Sequence, residues 1–150
     1  MNGSLPARNH KQHDFQQVFM LIKSMNTVQS IELARNYVTL SNNHDLVQIE
    51  RLFAADATYY SAYFGEYNCS SAIHAMMASF FDRFPDAHWK VIEYRGIENN
   101  GVEFAFTMTG MDASSGEQVK RQGLERIYFT PEGLIRHIAV YKPGDFPKLD

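Results

Sequence analysis

The hydrophobic period changes once along this chain, and that change restricts the fold more than any other feature. Up to Phe84 the apolar residues recur at helical spacing, apart from one strand-like run; beyond Pro85 they alternate. Ile31, Ala34, Tyr37, Val38 and Ser41 share one face of a helix that starts near Thr27 and ends near Asn42-Asn43. Asp45 is placed to cap a second helix, with Gln48 set for a reciprocal contact and Leu46, Ile49, Leu52 and Phe53 as its apolar face. Thr58, Tyr59, Tyr60 and Tyr63 make 56–63 a strand. Ser70 or Ser71 caps a third helix with the stripe Ile73, Met76, Met77, Phe80, Phe81 and Phe84.

The remainder predicts four strands, at His88 to Ile97, Val102 to Met111, Glu117 to Phe129 and Leu134 to Lys142. Asn99-Asn100-Gly101 joins the first two as a hairpin, because Asn-Gly suits a left-handed turn. The predicted order is ααβαββββ. Helices first and a strand meander later give an α+β fold, with three main helices on one face of a curved, mostly antiparallel sheet. Such a sheet has a concave face, and helices laid over it leave a cavity.

Both faces of several strands are apolar or mixed. Trp89, Val91 and Ile97 lie opposite Ile92 and Tyr94, and Ile138 and Val140 lie opposite Ala139 and Tyr141. A sheet with one wet face alternates more cleanly. The second face is therefore either covered by another subunit or an aromatic surface open to water.

A chain of 150 residues is one domain. Eleven Phe, eight Tyr and one Trp supply a core, which excludes general disorder. The net charge is −3 and no Lys/Arg block occurs, which argues against a nucleic-acid or anionic-membrane partner. The lone Cys69 permits no internal disulfide and no cysteine zinc site. No apolar run approaches the roughly 20 residues of a membrane span, and Val18 to Ile22 is too short for a secretory core. The expectation is a soluble, cytoplasmic protein. Residues 1–26 form a tail and an amphipathic helix over 14–25, which either packs on the domain or precedes a true start at Met20 or Met25. Residues 27–143 form the domain, and 144–150 a second tail.

Strong catalytic motifs are missing: no GxGxxG, phosphate loop, HExxH or GxSxG occurs. His10 and His13 have metal-like spacing but no third ligand. His44 reads as a surface turn, and Cys69 as an inert thiol before a helix. Tyr37 and Glu125 are better candidates. Tyr37 lies on a core-facing stripe, where its phenol needs either a backbone partner or a cavity. Glu125 lies mid-strand beside Ile127 and Phe129, where a carboxylate must be paired with a cation or held protonated.

Several short segments in order, Ala34-Arg35-Asn36-Tyr37-Val38, Asn43-His44-Asp45-Leu46, Leu52 to Thr58, Phe84-Pro85-Asp86, Thr109-Gly110, Gly133-Leu134-Ile135 and Tyr141, resemble the SnoaL-like branch of the NTF2-like superfamily. That group includes ketosteroid isomerases, polyketide cyclases and scytalone dehydratase. The resemblance covers about 27–143. It implies a cone with an apolar pocket and a homodimer formed through the sheet. It places Tyr37 as the tyrosine that donates to a developing oxyanion. It places Glu125 where isomerases hold a protonated aspartate and cyclases their acid–base aspartate. Ser61 falls at the isomerase base position, and a serine there cannot shuttle the proton, which argues against steroid isomerisation of that kind.

Tyr60, Ser61, Trp89, Ile138 and Val140 are the expected pocket lining. The expected activity is binding of a small, hydrophobic, oxygen-bearing molecule, with proton transfer, cyclisation or dehydration needing neither metal nor organic cofactor. The alternative is a non-catalytic carrier or association module, since this fold hosts both.

Overall fold

Asn26 opens the first helix with a reciprocal capping box: its side chain accepts from the Gln29 N–H at 2.8 Å, and the Gln29 amide oxygen accepts from the Asn26 N–H. This computed structural model describes residues 25–149. The expected 14–25 helix lies outside the described residues, except for Met25, which is not helical and touches the core. Helix α1 (Thr27–Asn42) buries Ser30, Ala34, Tyr37, Val38 and Ser41, so its inner face is nearly the predicted one. Asp45 caps α2 (Leu46–Arg51) by accepting from the Gln48 N–H, and the Gln48 side-chain amide donates back to its carboxylate.

The chain turns extended three residues before the expected start at 56 and leaves the strand two residues before 63. Strand β1 (Phe53–Ser61) takes Phe53 out of the helix, and a short edge strand β2 (Gly65–Asn68), which the sequence did not reveal, pairs antiparallel with it. Helix α3 (Ser70–Arg83) begins after Cys69, whose φ is 71°; no serine side chain caps it. Strands β3 (His88–Ile97), β4 (Gly101–Met111), β5 (Gln118–Phe129) and β6 (Ile135–Tyr141) complete the element order.

The six strands form one open, mixed sheet in the order β2-β1-β6-β5-β4-β3. Only the β1–β6 pair is parallel; the others run antiparallel. The three helices pack on its curved face, in the cone expected from the resemblance. The β3–β4 turn puts Asn99 and Asn100 at φ 64° and 55°. Gly101, expected to take the left-handed position, instead starts β4. Its lack of a side chain is required by space, since a Cβ there would lie 2.7 Å from Ile97 and 2.9 Å from Tyr128.

Strand alternation divides the sheet residues into two sets. Tyr59, Ser61, Ile138, Val140, Glu125, Ile127, Phe104 and Phe106 face the helices. The outer face carries a buried ion cluster: Arg126 donates to Glu103 at 2.8 Å, and Arg95 pairs with the other Glu103 oxygen. The last segment is not a free tail. The Pro147 carbonyl accepts from Arg126 at 2.7 Å, and the Phe146 ring lies 5.8 Å from the same guanidinium. No helix among the described residues is long and apolar enough to cross a membrane.

Candidate functional site

Between the helices and the concave sheet lies an apolar cavity bordered by Tyr37, Tyr59, Ser61, Trp89, Glu125 and Val140, among others. The space open to a water molecule's centre is about 70 Å³, several times the roughly 10–15 Å³ that one buried water needs. Met76, Met77 and Phe80 of α3 form one wall, and methionine side chains can shift to admit a larger guest. Gly123 of β5 is part of the construction. A Cβ there would lie 2.6 Å from the Phe106 ring, so only glycine lets that ring lie flat against the strand.

Glu125 reaches the cavity because β5 alternation turns it inward, 8% exposed. Its strand partners are Phe104 on one side and Val140 on the other, so neither neighbour offers a charge or a hydrogen bond. No ion pair or hydrogen bond to its carboxyl forms among the described residues. Arg126, one residue on, points to the outer face and is held by Glu103. Arg121, four residues back on the same face, has its Cα about 13 Å away along the strand, and its guanidinium lies among Tyr63, Phe64 and Phe84. Burial without compensation pushes the Glu125 carboxyl up to about 8. The cation pairing considered for this residue is therefore not formed.

Tyr37 is 5% exposed, and its ring meets Phe53 edge-on at 6.1 Å. Burial raises its phenol well above the ordinary value, and the nearby Tyr59 and Glu125 add to the rise. Tyr59 behaves alike: burial first, then Glu125 and Tyr67, hold it neutral. At neutral pH the cavity thus presents two phenols and a largely protonated carboxyl close enough to influence one another. Such a set can donate hydrogen bonds to a carbonyl or enolate oxygen and can move one proton.

Of the expected lining, Ser61, Trp89 and Val140 border this cavity together with Tyr37 and Glu125. Tyr60 does not. It lies on the outer face, its ring 5.7 Å from Tyr141, because adjacent residues of a strand point to opposite sides and Ser61 points inward. Ile138 faces inward but is fully buried under its neighbours and does not reach the cavity. The Ser61 hydroxyl accepts from the N–H groups of Tyr63 and Phe64 at 3.1 and 3.2 Å, so it shapes the β1–β2 turn. Tyr59 was missed. The inward position of Ser61, taken with a period of two, was the signal that selects Tyr59 over Tyr60. His44 is tied down: its Nε2 lies 2.8 Å from the Ala87 carbonyl and its ring stacks on Phe81. Among the described residues no group of three His, Cys, Asp or Glu is placed to hold a metal.

Solved structures share this architecture. The epoxide hydrolase/cyclase-like enzyme SalBIII, of pyran ring formation in the polyether salinomycin, matches with a TM-score of 0.71 and 16% identity, covering 79% of this chain and 93% of its own. AclR of Streptomyces galilaeus, provisionally assigned as a hydroxylase, matches with a TM-score of 0.66 and 20% identity over 77% of this chain and 89% of its own. An NTF2-like protein of unknown function from Exiguobacterium sp. 255-15 matches with a TM-score of 0.66 and 17% identity, over 76% and 99%. At these identities the likeness concerns the fold. Among curated proteins, none matches the sequence. The model of the SnoaL-like domain matches residues 34–138, most of the chain and every element from mid-α1 into β6. This chain belongs to the SnoaL-like family.

Proposed function

We propose that this protein binds an apolar, oxygen-bearing small molecule in the cavity and moves a proton on it without a cofactor, in an isomerisation, cyclisation or dehydration. The observation that carries the reading is Glu125, a carboxyl buried among apolar residues and lifted to about 8, in a cavity shared with two neutral phenols. The cyclase-like activity of SalBIII on the same fold supports an enzyme pocket here. Ionised Glu125 takes a proton from a carbon next to a carbonyl, and the C–H electron pair becomes an enolate. Tyr37 and Tyr59 donate hydrogen bonds to the enolate oxygen. Protonated Glu125 then returns the proton to the same carbon or to a conjugated one. With a carboxyl near 8, about a tenth is ionised at pH 7, so turnover rises with pH and levels above about 8.

The test is hydrogen–deuterium exchange of the α-protons of cyclic ketones in D2O, followed by proton NMR. The reading expects exchange above the buffer rate, its loss in Glu125→Gln, and a fall of at least about tenfold in Tyr37→Phe and Tyr59→Phe with the fold intact. Exchange at the buffer rate, or exchange untouched by Glu125→Gln, refutes it. Ligand binding without exchange would favour the carrier reading.

The sheet's outer face supports a homodimer as part of the proposal. Ile92 is 90% exposed there, with Leu124 and Phe146 bordering the same groove. Ile92→Glu should leave a monomer in sedimentation; an unchanged dimer, or a native monomer, removes this interface. The exposed, free Cys69 thiol supports placement in the reducing cytoplasm. We take 27–143 as the domain, with 1–26 and 144–150 as its flanks.

A further inference from the structure

The catalytic set uses only one end of the cavity. Arg121, which the mechanism leaves idle, also borders it. Its Nη1 is buried and has no hydrogen-bond partner among the described residues. Its guanidinium lies 5.2 Å from the ring centres of each of Tyr63, Phe64 and Phe84. Aromatic faces attract a guanidinium but accept none of its in-plane N–H bonds, so the buried Nη1 donors stay unspent. The nearby carboxylate is already committed: Asp112 accepts from Arg83 at 3.0 and 2.8 Å and from Ser114. Lys142 adds a second cation on the rim, 5.5 Å from the Tyr63 ring.

The cavity is therefore polar in two places, contributed by β5 residues whose Cα atoms lie about 13 Å apart. One holds a cation with unused donors; the other holds neutral donors and a titrating carboxyl. Phe80, Phe106 and Met108 supply apolar wall. A buried N–H group without a partner is costly, and an anion bound at Nη1 relieves that cost. The fork of the guanidinium matches a planar carboxylate through two parallel bonds. A phosphate dianion needs a second free cation, whereas Arg83, 5.1 Å from the same Phe84 ring, is already paired with Asp112 and Lys142 is exposed.

We infer that Arg121 docks a carboxylate, and that the ligand is an apolar keto acid whose carboxylate sits on Arg121 while its carbonyl meets Tyr37, Tyr59 and Glu125. This deepens the proposed function and rests on it. The probe pair is 7-oxooctanoate and its methyl ester, which differ in the charge and one methyl group. Trp89 is the only tryptophan of the chain and borders the cavity, so its fluorescence reports entry. The acid should bind native protein at least about tenfold more tightly than the ester. Arg121→Met should erase that preference while leaving the ester's affinity in place, with urea unfolding used to confirm a folded variant. If Arg121→Met does not fold, Arg121→Gln serves with the same expected result. Equal binding of acid and ester, or a preference that survives loss of Arg121, overturns the docking role and leaves the small-molecule reading standing. If neither compound changes Trp89 fluorescence, both fall together.

Discussion

Replacing Glu125 by Gln should stabilise the protein, and by an amount that grows with pH. In the unfolded chain a glutamate ionises near 4.5, whereas in the fold Glu125 holds its proton up to about 8. Between those values unfolding releases a proton, so native stability falls as pH rises; below and above the window this group contributes no slope. Each pKa unit corresponds to about 1.36 kcal/mol. From pH 4.5 to pH 7 the native protein should lose about 3 kcal/mol relative to the variant, approaching about 5 kcal/mol above pH 8. Gln has nearly the same shape and no charge, so the cavity wall is kept. All other titrating groups are common to both proteins and cancel in the difference. Urea unfolding of both proteins at pH 4.5, 6, 7 and 8.5 measures it. A difference independent of pH, or one that favours the native protein at high pH, would mean that the carboxyl is paired or hydrated, and the reasoning about the site would fail.

Three further outcomes follow from contacts around the cavity and the sheet. Tyr59→Phe should slow α-proton exchange at least about tenfold, whereas Tyr60→Phe, on the outer face against Tyr141, should leave it unchanged; NMR exchange rates separate the two. Glu103→Gln removes the carboxylate that Arg126 and Arg95 share, and urea unfolding should register a loss of about 3–5 kcal/mol, because Arg126 stays buried without a charged partner. Gly123→Ala sets a methyl group 2.6 Å from the Phe106 ring and 2.8 Å from the Tyr141 carbonyl oxygen, so both the ring and the β5–β6 backbone must give; urea unfolding should register a loss of stability, and ligand titrations followed by Trp89 fluorescence should weaken.

Much of the fold was legible because each element carries its own signal. The Ala34, Tyr37, Val38 and Ser41 stripe marks the inner face of α1, Asp45 and Gln48 cap α2, and two asparagines shape the β3–β4 turn. What was not legible depends on partners distant in sequence. Strand β2 holds one half-buried tyrosine, Tyr67, in four residues, and only pairing with β1 makes it a strand. Thr58, Tyr59 and Tyr60 are all strand formers, so composition cannot say which faces inward. Glu125 stood out because a carboxylate beside Ile127 and Phe129 needs an explanation. That Arg126 would take Glu103, leaving Glu125 uncompensated, follows from the β4–β5 register, which pairs Glu103 with Arg126 and Phe104 with Glu125. Arg121 gave no signal at all, since a rim arginine looks like any surface cation until three rings surround it.

A neutral carboxyl faces two phenols in an apolar cavity, and one titration reads its protonation. Carbon-13 labelling of the glutamate side chains, with Glu125→Gln used to assign the resonance, lets the Glu125 carboxyl be followed by NMR from pH 4 to pH 9.5. A midpoint near pH 8 is expected from its burial without a cation. A midpoint near the ordinary 4.5 would mean that the carboxyl is hydrated or paired rather than buried without compensation, and Glu125 would not be the neutral, proton-holding group of the resting site.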